Sequence, residues 1–142
     1  SGRARTALKK EIQLSPQEIE ENIKQKYLDA TLLYENGRYA NSIYLCGYCV
    51  ELALKYAITK KLNWIQFRTD NKFKFLKVHD LDLLLAFTGE ELRIKKLAHW
   101  SVVQAWSENK RYENPSYAKQ NDSEAMLEAT KKLVEELCII LL

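Results

Sequence analysis

The sequence predicts an all-α fold of four long helices and one short one, on three observations. Glycine and proline are scarce, four and two in 142 residues, too few for turn-rich all-β or tight α/β architectures. Apolar residues recur at helical spacing over long stretches. Residues that favour helix starts stand directly ahead of several of those stretches. With 46% apolar and 29% charged residues the composition is that of a soluble globular chain. One domain is expected at this length, over residues 15–142. Residues 1–14 form a basic flexible segment, and their Ser-Gly start resembles the remnant of a cleaved tag.

The first long helix starts at Ser15-Pro16-Gln17-Glu18. Ser15 is the N-cap, Pro16 the first helical residue, and Glu18 closes a capping box. Ile19, Ile23, Tyr27, Ala30 and Tyr34 follow on one face, and Asn36-Gly37 supplies a left-handed stop. The second helix, Tyr39–Lys61, begins almost at once, so the two form an antiparallel hairpin. This second helix organises the chain. Between Arg38 and Lys60 only Glu51 and Lys55 are charged, and two apolar stripes run along it, Tyr39-Ile43-Gly47-Val50-Leu54-Ile58 and Leu45-Cys49-Leu52-Tyr56. A helix apolar over most of its circumference is wrapped by other helices. Gly47 costs about 1 kcal/mol relative to alanine in mid-helix, which implies a close crossing there. Glu51 and Lys55 form an i,i+4 pair in the favourable order.

Residues 62–78 alternate apolar and polar side chains around Thr69-Asp70-Asn71-Lys72, which fits a small β-hairpin or an extended loop packed on the helices. Asp80 caps a short helix over Leu81–Phe87, with Leu81, Leu84 and Leu85 inward. Thr88-Gly89-Glu90-Glu91 reads as a capping box opening a helix over 89–107, with Leu92, Leu97, Trp100, Val103 and Trp106 as buried candidates. Residues 107–120 are polar with one proline and read as a loop. The last helix restarts at 121–124 and lines Met126, Ala129, Leu133, Leu137 and Ile140 along its core face.

Net charge is only +3, too small to mark a nucleic-acid binder by itself. The basic residues are unevenly spread, however. From Lys60 to Lys77 there are six basic residues and one acidic one, interleaved with aromatics. Cations for phosphates and rings for base stacking are what single-stranded nucleic acid requires, so Lys72 and Lys74 are candidate contacts. The alternative is that the rings anchor a long loop whose lysines are its solvated edge. Cys46-Gly-Tyr-Cys49 has the letters of a redox motif but lies mid-helix, away from a helix start, with no second cysteine pair for zinc. Both cysteines therefore read as small buried hydrophobes, and an odd total of three points to a reducing cytoplasm. No stretch is long and apolar enough to span a membrane. No phosphate loop is present, and neither cofactor nor metal is expected. Arg93 and His99 are six apart on the expected 89–107 helix. That pair suits metal-independent RNA cleavage, with Arg93 holding the phosphate and His99 moving the proton.

Three local patterns in order resemble the HEPN family, named for nucleotide-binding domains of higher eukaryotes and prokaryotes. Glu51-Leu-Ala-Leu-Lys55 is similar to its E-x-x-L-K helix, His79-Asp-Leu-Asp-Leu-Leu84 to its H-D-L-x-x-L, and Arg111-Tyr112 to the R-Y before its last helix. The resemblance runs from about Ser15 onward. It implies an up-and-down helical bundle, often homodimeric, acting as a nucleotide- or RNA-associated module in a prokaryotic defence or toxin–antitoxin system. A cognate antitoxin or a nucleotidyltransferase-like protein is the partner it implies. Catalytic members carry Arg-x(4–6)-His. Here Arg111 is followed by Tyr112 with no downstream histidine, so a non-catalytic or weakly catalytic module is expected. Lys110, Arg111, Tyr112 and Tyr117 would then supply phosphate and ring contacts. The rivals are a metal-independent endoribonuclease using Arg93 and His99, and a protein-interaction domain that buries an apolar face against a partner.

Overall fold

A computed structural model of the chain describes residues 14–106, 118–139 and 142. In chain order its α-helices are α1 (Pro16–Glu35), α2 (Tyr39–Lys61), α3 (Leu81–Ala86), α4 (Glu91–Lys95), α5 (Ala98–Ala105) and α6 (Gln120–Cys138). A 3-10 helix spans Asn71–Leu76. No strand occurs among the described residues, and the fold is an all-α bundle.

Local chemistry sets the ends of the long helices. The Ser15 hydroxyl accepts from the Glu18 N–H at 3.2 Å and donates to the Glu18 carboxylate at 3.0 Å. Gly37 sits at φ +74°. The Gly37 and Arg38 amides reach back to the Tyr34 and Leu33 carbonyls, the paired bonds of a Schellman stop. Asn63, at φ 55°, ends α2 the same way, with Trp64 N–H donating to the Thr59 carbonyl at 2.9 Å. Asp80 accepts from the Leu83 N–H and caps α3.

The core lies between α1, α2 and α6, with α3 and α5 closing it. Ile43, Gly47, Val50, Leu54 and Ile58 of the first stripe on α2 are buried. They meet Ile19, Ile23 and Ala30 of α1 and Met126, Ala129, Leu133 and Leu137 of α6. At Gly47 the backbone lies against the Trp106 ring so closely that an added Cβ would overlap it.

Several expectations are corrected. Residues 62–78 form no hairpin. Asn71, at φ 51°, starts the 3-10 helix, and Phe73 N–H donates to the Asp70 carbonyl at 2.9 Å. Side chains three apart eclipse in such a helix, which puts Phe73 against Trp64 and buries Leu76 on the same side, while Phe75 faces outward. The period that governs here is three rather than two. The single helix expected over 89–107 is broken into α4 and α5 at Leu97, whose ψ of 130° is extended. Ile94 and Trp100 are both buried, yet six residues along a continuous helix would set them about 120° apart around its axis. The break lets both face the core. Leu92, expected inside, is 81% exposed. The start of α4 also differs from a capping box: the Thr88 hydroxyl accepts from the Glu90 N–H, and Glu90 is the N-cap. Three helices are therefore long and three short among the described residues. Ile140 and residues 107–117 of the expected loop lie outside them.

Candidate functional site

Two of the sequence patterns meet at one point. Glu51, in the middle of α2, is only 7% exposed. Its carboxylate accepts from Lys55 Nζ at 3.0 Å and lies 2.9 Å from His79 Nδ1. Lys55 comes one turn along the same helix, and His79 stands just before the Asp80 cap of α3. A buried carboxylate demands polar partners, and here they come from one helix and from the segment leading into the next. The Tyr48 ring packs edge-on to His79 at 6.5 Å between centroids. Tyr44, Gly47, Leu81 and Trp106 complete a small cleft beside the carboxylate. The Tyr44 and Tyr48 rings stack edge-on at 5.5 Å, and Lys26 Nζ lies 5.9 Å over Tyr48. The E-x-x-L-K and H-D-L patterns are thus two halves of one polar knot. The sequence supplied both halves without showing that they touch.

The second feature is the 62–78 excursion. Trp64, Phe67 and Phe73 form a ring cluster, with Trp64 and Phe73 centroids 4.7 Å apart. Phe67 is buried, and its N–H donates to the Leu14 carbonyl at 2.8 Å, tying the excursion to the start of α1. The Arg68 guanidinium lies 4.8 Å from the Phe73 centroid and 5.8 Å from that of Trp64, and forms a two-point ion pair with Asp70. Lys72 Nζ sits 5.5 Å from the Phe73 centroid. The Asp70 carboxyl is held below its usual range, first by the hydrogen bond from Arg68. Lys72 and Lys74 are exposed on the 3-10 helix. Ile65, Phe75 and Phe87 are exposed nearby, Phe75 and Phe87 packed together at 5.1 Å. Rings therefore both anchor the segment and line its outer side. Arg68 is the member that sequence reasoning did not single out; its place two residues before Asp70 in an aromatic run was the available signal.

Of the remaining predicted residues, Arg93 and His99 lie on different helices and the others lie outside the described residues. Arg93 is on α4 and His99 on α5, so the Arg-x(5)-His spacing does not lie on one helix as expected. Every guanidinium nitrogen of Arg93 has a partner: Nε donates to Glu90 at 2.8 Å, Nη1 to the Glu136 carboxylate at 2.6 Å and Nη2 to the Glu136 carbonyl at 3.1 Å. This staples α4 to α6. The hydrogen bond to Glu90, then that to Glu136, raises the Arg93 pKa above its usual value. His99 is half-buried, and its Nδ1 is buried without a hydrogen-bond partner among the described residues. Lys110, Arg111, Tyr112 and Tyr117 lie outside the described residues. Cys46, Cys49 and Cys138 are free and buried. Burial pushes the thiols of Cys46 and Cys138 up to about 12, and that of Cys49 also upward. None is poised for redox chemistry at neutral pH. No helix among the described residues is long and apolar enough to cross a membrane.

A family model described as HEPN domain matches residues 17–140. The match covers α1 to α6 and takes in both halves of the Glu51 knot and the excursion. No curated protein and no solved structure matches the chain.

Proposed function

This chain belongs to the HEPN domain family, a family of nucleotide- or RNA-associated helical modules, and from that we propose that it binds single-stranded RNA or a nucleotide without cleaving it efficiently, as part of a prokaryotic defence or toxin–antitoxin system. The observation that supports this reading best is the excursion: exposed cations at Lys72 and Lys74, with Arg68 stacked on Trp64 and Phe73, on a segment tied to the bundle. Cations follow a phosphate backbone and outward rings such as Phe75 stack bases. In this reading Lys110, Arg111, Tyr112 and Tyr117 add phosphate and ring contacts. The protein works in the cytoplasm as a homodimer, and a cognate antitoxin or nucleotidyltransferase-like protein is its partner.

The test is fluorescence anisotropy with a labelled single-stranded RNA over a salt series. Lys72→Glu/Lys74→Glu should weaken binding at least tenfold and flatten the salt dependence by about 0.7 per lost phosphate contact. Arg111→Ala should weaken binding with the melting temperature unchanged. Full affinity in both variants overturns the reading.

Cleavage by Arg93 and His99 is the second reading, favoured by one observation, the unpartnered buried Nδ1 of His99. Against it stands the occupied guanidinium of Arg93, tied to two glutamates. An RNA pool incubated in EDTA with the protein and with His99→Ala separates the two. Cleavage lost in the variant establishes the ribonuclease, and intact RNA with both proteins removes it.

A further inference from the structure

A cavity of about 200 Å³ opens between the start of α1, the middle of α2 and the two ends of the 62–78 excursion. Its walls are apolar. Ile19, Leu52 and Phe67 contribute buried side chains, and Val78 closes one side. Two lysines, Lys55 and Lys77, and His79 are among its lining residues. Lys55 is partnered by Glu51, and the same carboxylate meets His79. Lys77 is exposed and has no ion-pair partner among the described residues. Thr69 adds a hydroxyl at the rim.

Size and charge together define an occupant. Close-packed interiors rarely leave voids much larger than a water molecule, and an apolar cavity of roughly 150 Å³ holds one benzene ring. The cavity here takes one ring and a small head group. An apolar body removes the wall surface from water, and an anionic head at the mouth meets Lys77, with His79 and the Lys55–Glu51 pair beside it. We propose that this cavity binds a small amphipathic monoanion, an aryl carboxylate of about one aromatic ring, held by Ile19, Leu52, Phe67 and Val78 with its carboxylate toward Lys77. Lys72 and Lys74, the cations of the proposed RNA surface, are not among the cavity's lining residues. Phe67, Thr69, Lys77 and Val78 belong to the excursion, so the ligand would fasten that segment to the bundle from inside.

The test is a titration of uniformly 15N-labelled protein with sodium benzoate, with its uncharged analogue benzyl alcohol, and with adenosine monophosphate, followed by amide chemical shifts. Benzoate should give saturable shifts centred on Phe67, Thr69, Val78 and His79, with Kd on the order of 1 mM, the range open to so small a ligand. Benzyl alcohol should bind about threefold more weakly. Lys77→Glu should reduce benzoate to the level of the alcohol and leave the alcohol unchanged. Val78→Trp should fill the cavity and abolish both; if its melting curve shows that it does not fold, Thr69→Trp at the rim replaces it. Three results overturn the proposal: non-saturating shifts scattered over surface lysines, equal affinity for benzoate and benzyl alcohol, or displacement of benzoate by adenosine monophosphate, which would make the cavity a nucleotide site. Because the RNA assay reads Lys72 and Lys74, failure here leaves that assay's result standing.

Discussion

Replacing Glu51 by alanine tests whether the polar knot holds the bundle together. The carboxylate makes two charge-assisted contacts, 3.0 Å to Lys55 Nζ and 2.9 Å to His79 Nδ1. Removing one partner of a fully buried ion pair costs about 3–5 kcal/mol, because the other charge is left without compensation. That figure is too large here, since the Lys55 side chain is 18% exposed and that of His79 56%. Both can turn toward water, which brings the expected loss to about 2 kcal/mol. For a domain of this size that is a fall of about 7 °C in Tm. Urea unfolding followed by circular dichroism measures it directly, with an unchanged m-value showing that the denatured state is not the cause. Glu51→Gln, which keeps the shape and one acceptor, should lose about half as much. A double-mutant cycle with His79→Ala should return a coupling of about 1 kcal/mol. If Glu51→Ala lies within about 0.5 kcal/mol of the parent, the magnitude expected for an ordinary surface change, the knot contributes nothing to stability. Additivity with His79→Ala would likewise refute the contact as the source.

Three further perturbations read other parts of the structure. Gly47→Ala gains about 1 kcal/mol of helix propensity but drives a methyl into the Trp106 ring, and overpacking costs about 1–3 kcal/mol. A net loss is expected in the parent and a gain in a Trp106→Ala background, read by urea unfolding; a loss in both would place the strain elsewhere. Iodoacetamide at pH 8 should leave Cys46, Cys49 and Cys138 unmodified in the native protein and alkylate all three after unfolding, by intact mass. Because burial raises these thiols in the folded state, the unfolded chain ionises first, and stability should fall as pH rises above about 9; an adduct on the native protein would show that the core opens. The Glu136 carboxyl is held below its ordinary value of 4.5, first by the hydrogen bond from Lys132 and then by that from Arg93. Its contribution is present above pH 4.5 and lost as pH falls through the lowered folded value, so Glu136→Gln should flatten the acid side of the stability profile.

The long helices were legible because their signals are local. Ser15-Pro16, Asn36-Gly37 and the single apolar run of α2 each sit within a few residues, and the structure places α1 at Pro16–Glu35 and α2 at Tyr39–Lys61 as the sequence reading expected. The errors arose where distant packing overrides local pattern. Nothing between Glu91 and Ala105 breaks a helix by composition; no proline or glycine marks Leu97. The break exists because Ile94 and Trp100 must both reach a core built by α2 and α6, residues far away in sequence. The alternation Phe73-Lys74-Phe75 imitates a strand, but a strand needs a hydrogen-bonding neighbour. With none available, the segment closes its own amide bonds in a 3-10 helix and turns Phe73 rather than Phe75 toward Trp64.

The candidate site divides along the same line. Glu51, Lys55 and His79 were each visible within a short pattern, yet their meeting is a consequence of topology. α2 leaves the bundle at Lys61, the excursion returns through Phe67 and Leu76, both buried, and Val78-His79 arrives beside the middle of α2 rather than at its end. Length alone does not fix that return point; the apolar anchors do. The same geometry sets Arg93 and His99 on different helices. A helix unbroken from residue 89 to 107 would have carried Arg93 and His99 on one rod. The bend at Leu97 instead turns Arg93 onto α6, where Glu136 takes it, and leaves His99 on α5, which packs against α6. A spacing rule presumes the rod on which it is counted. Where packing breaks the rod, the two residues must be judged by the partners each has, and by that measure Arg93 is first a staple between α4 and α6.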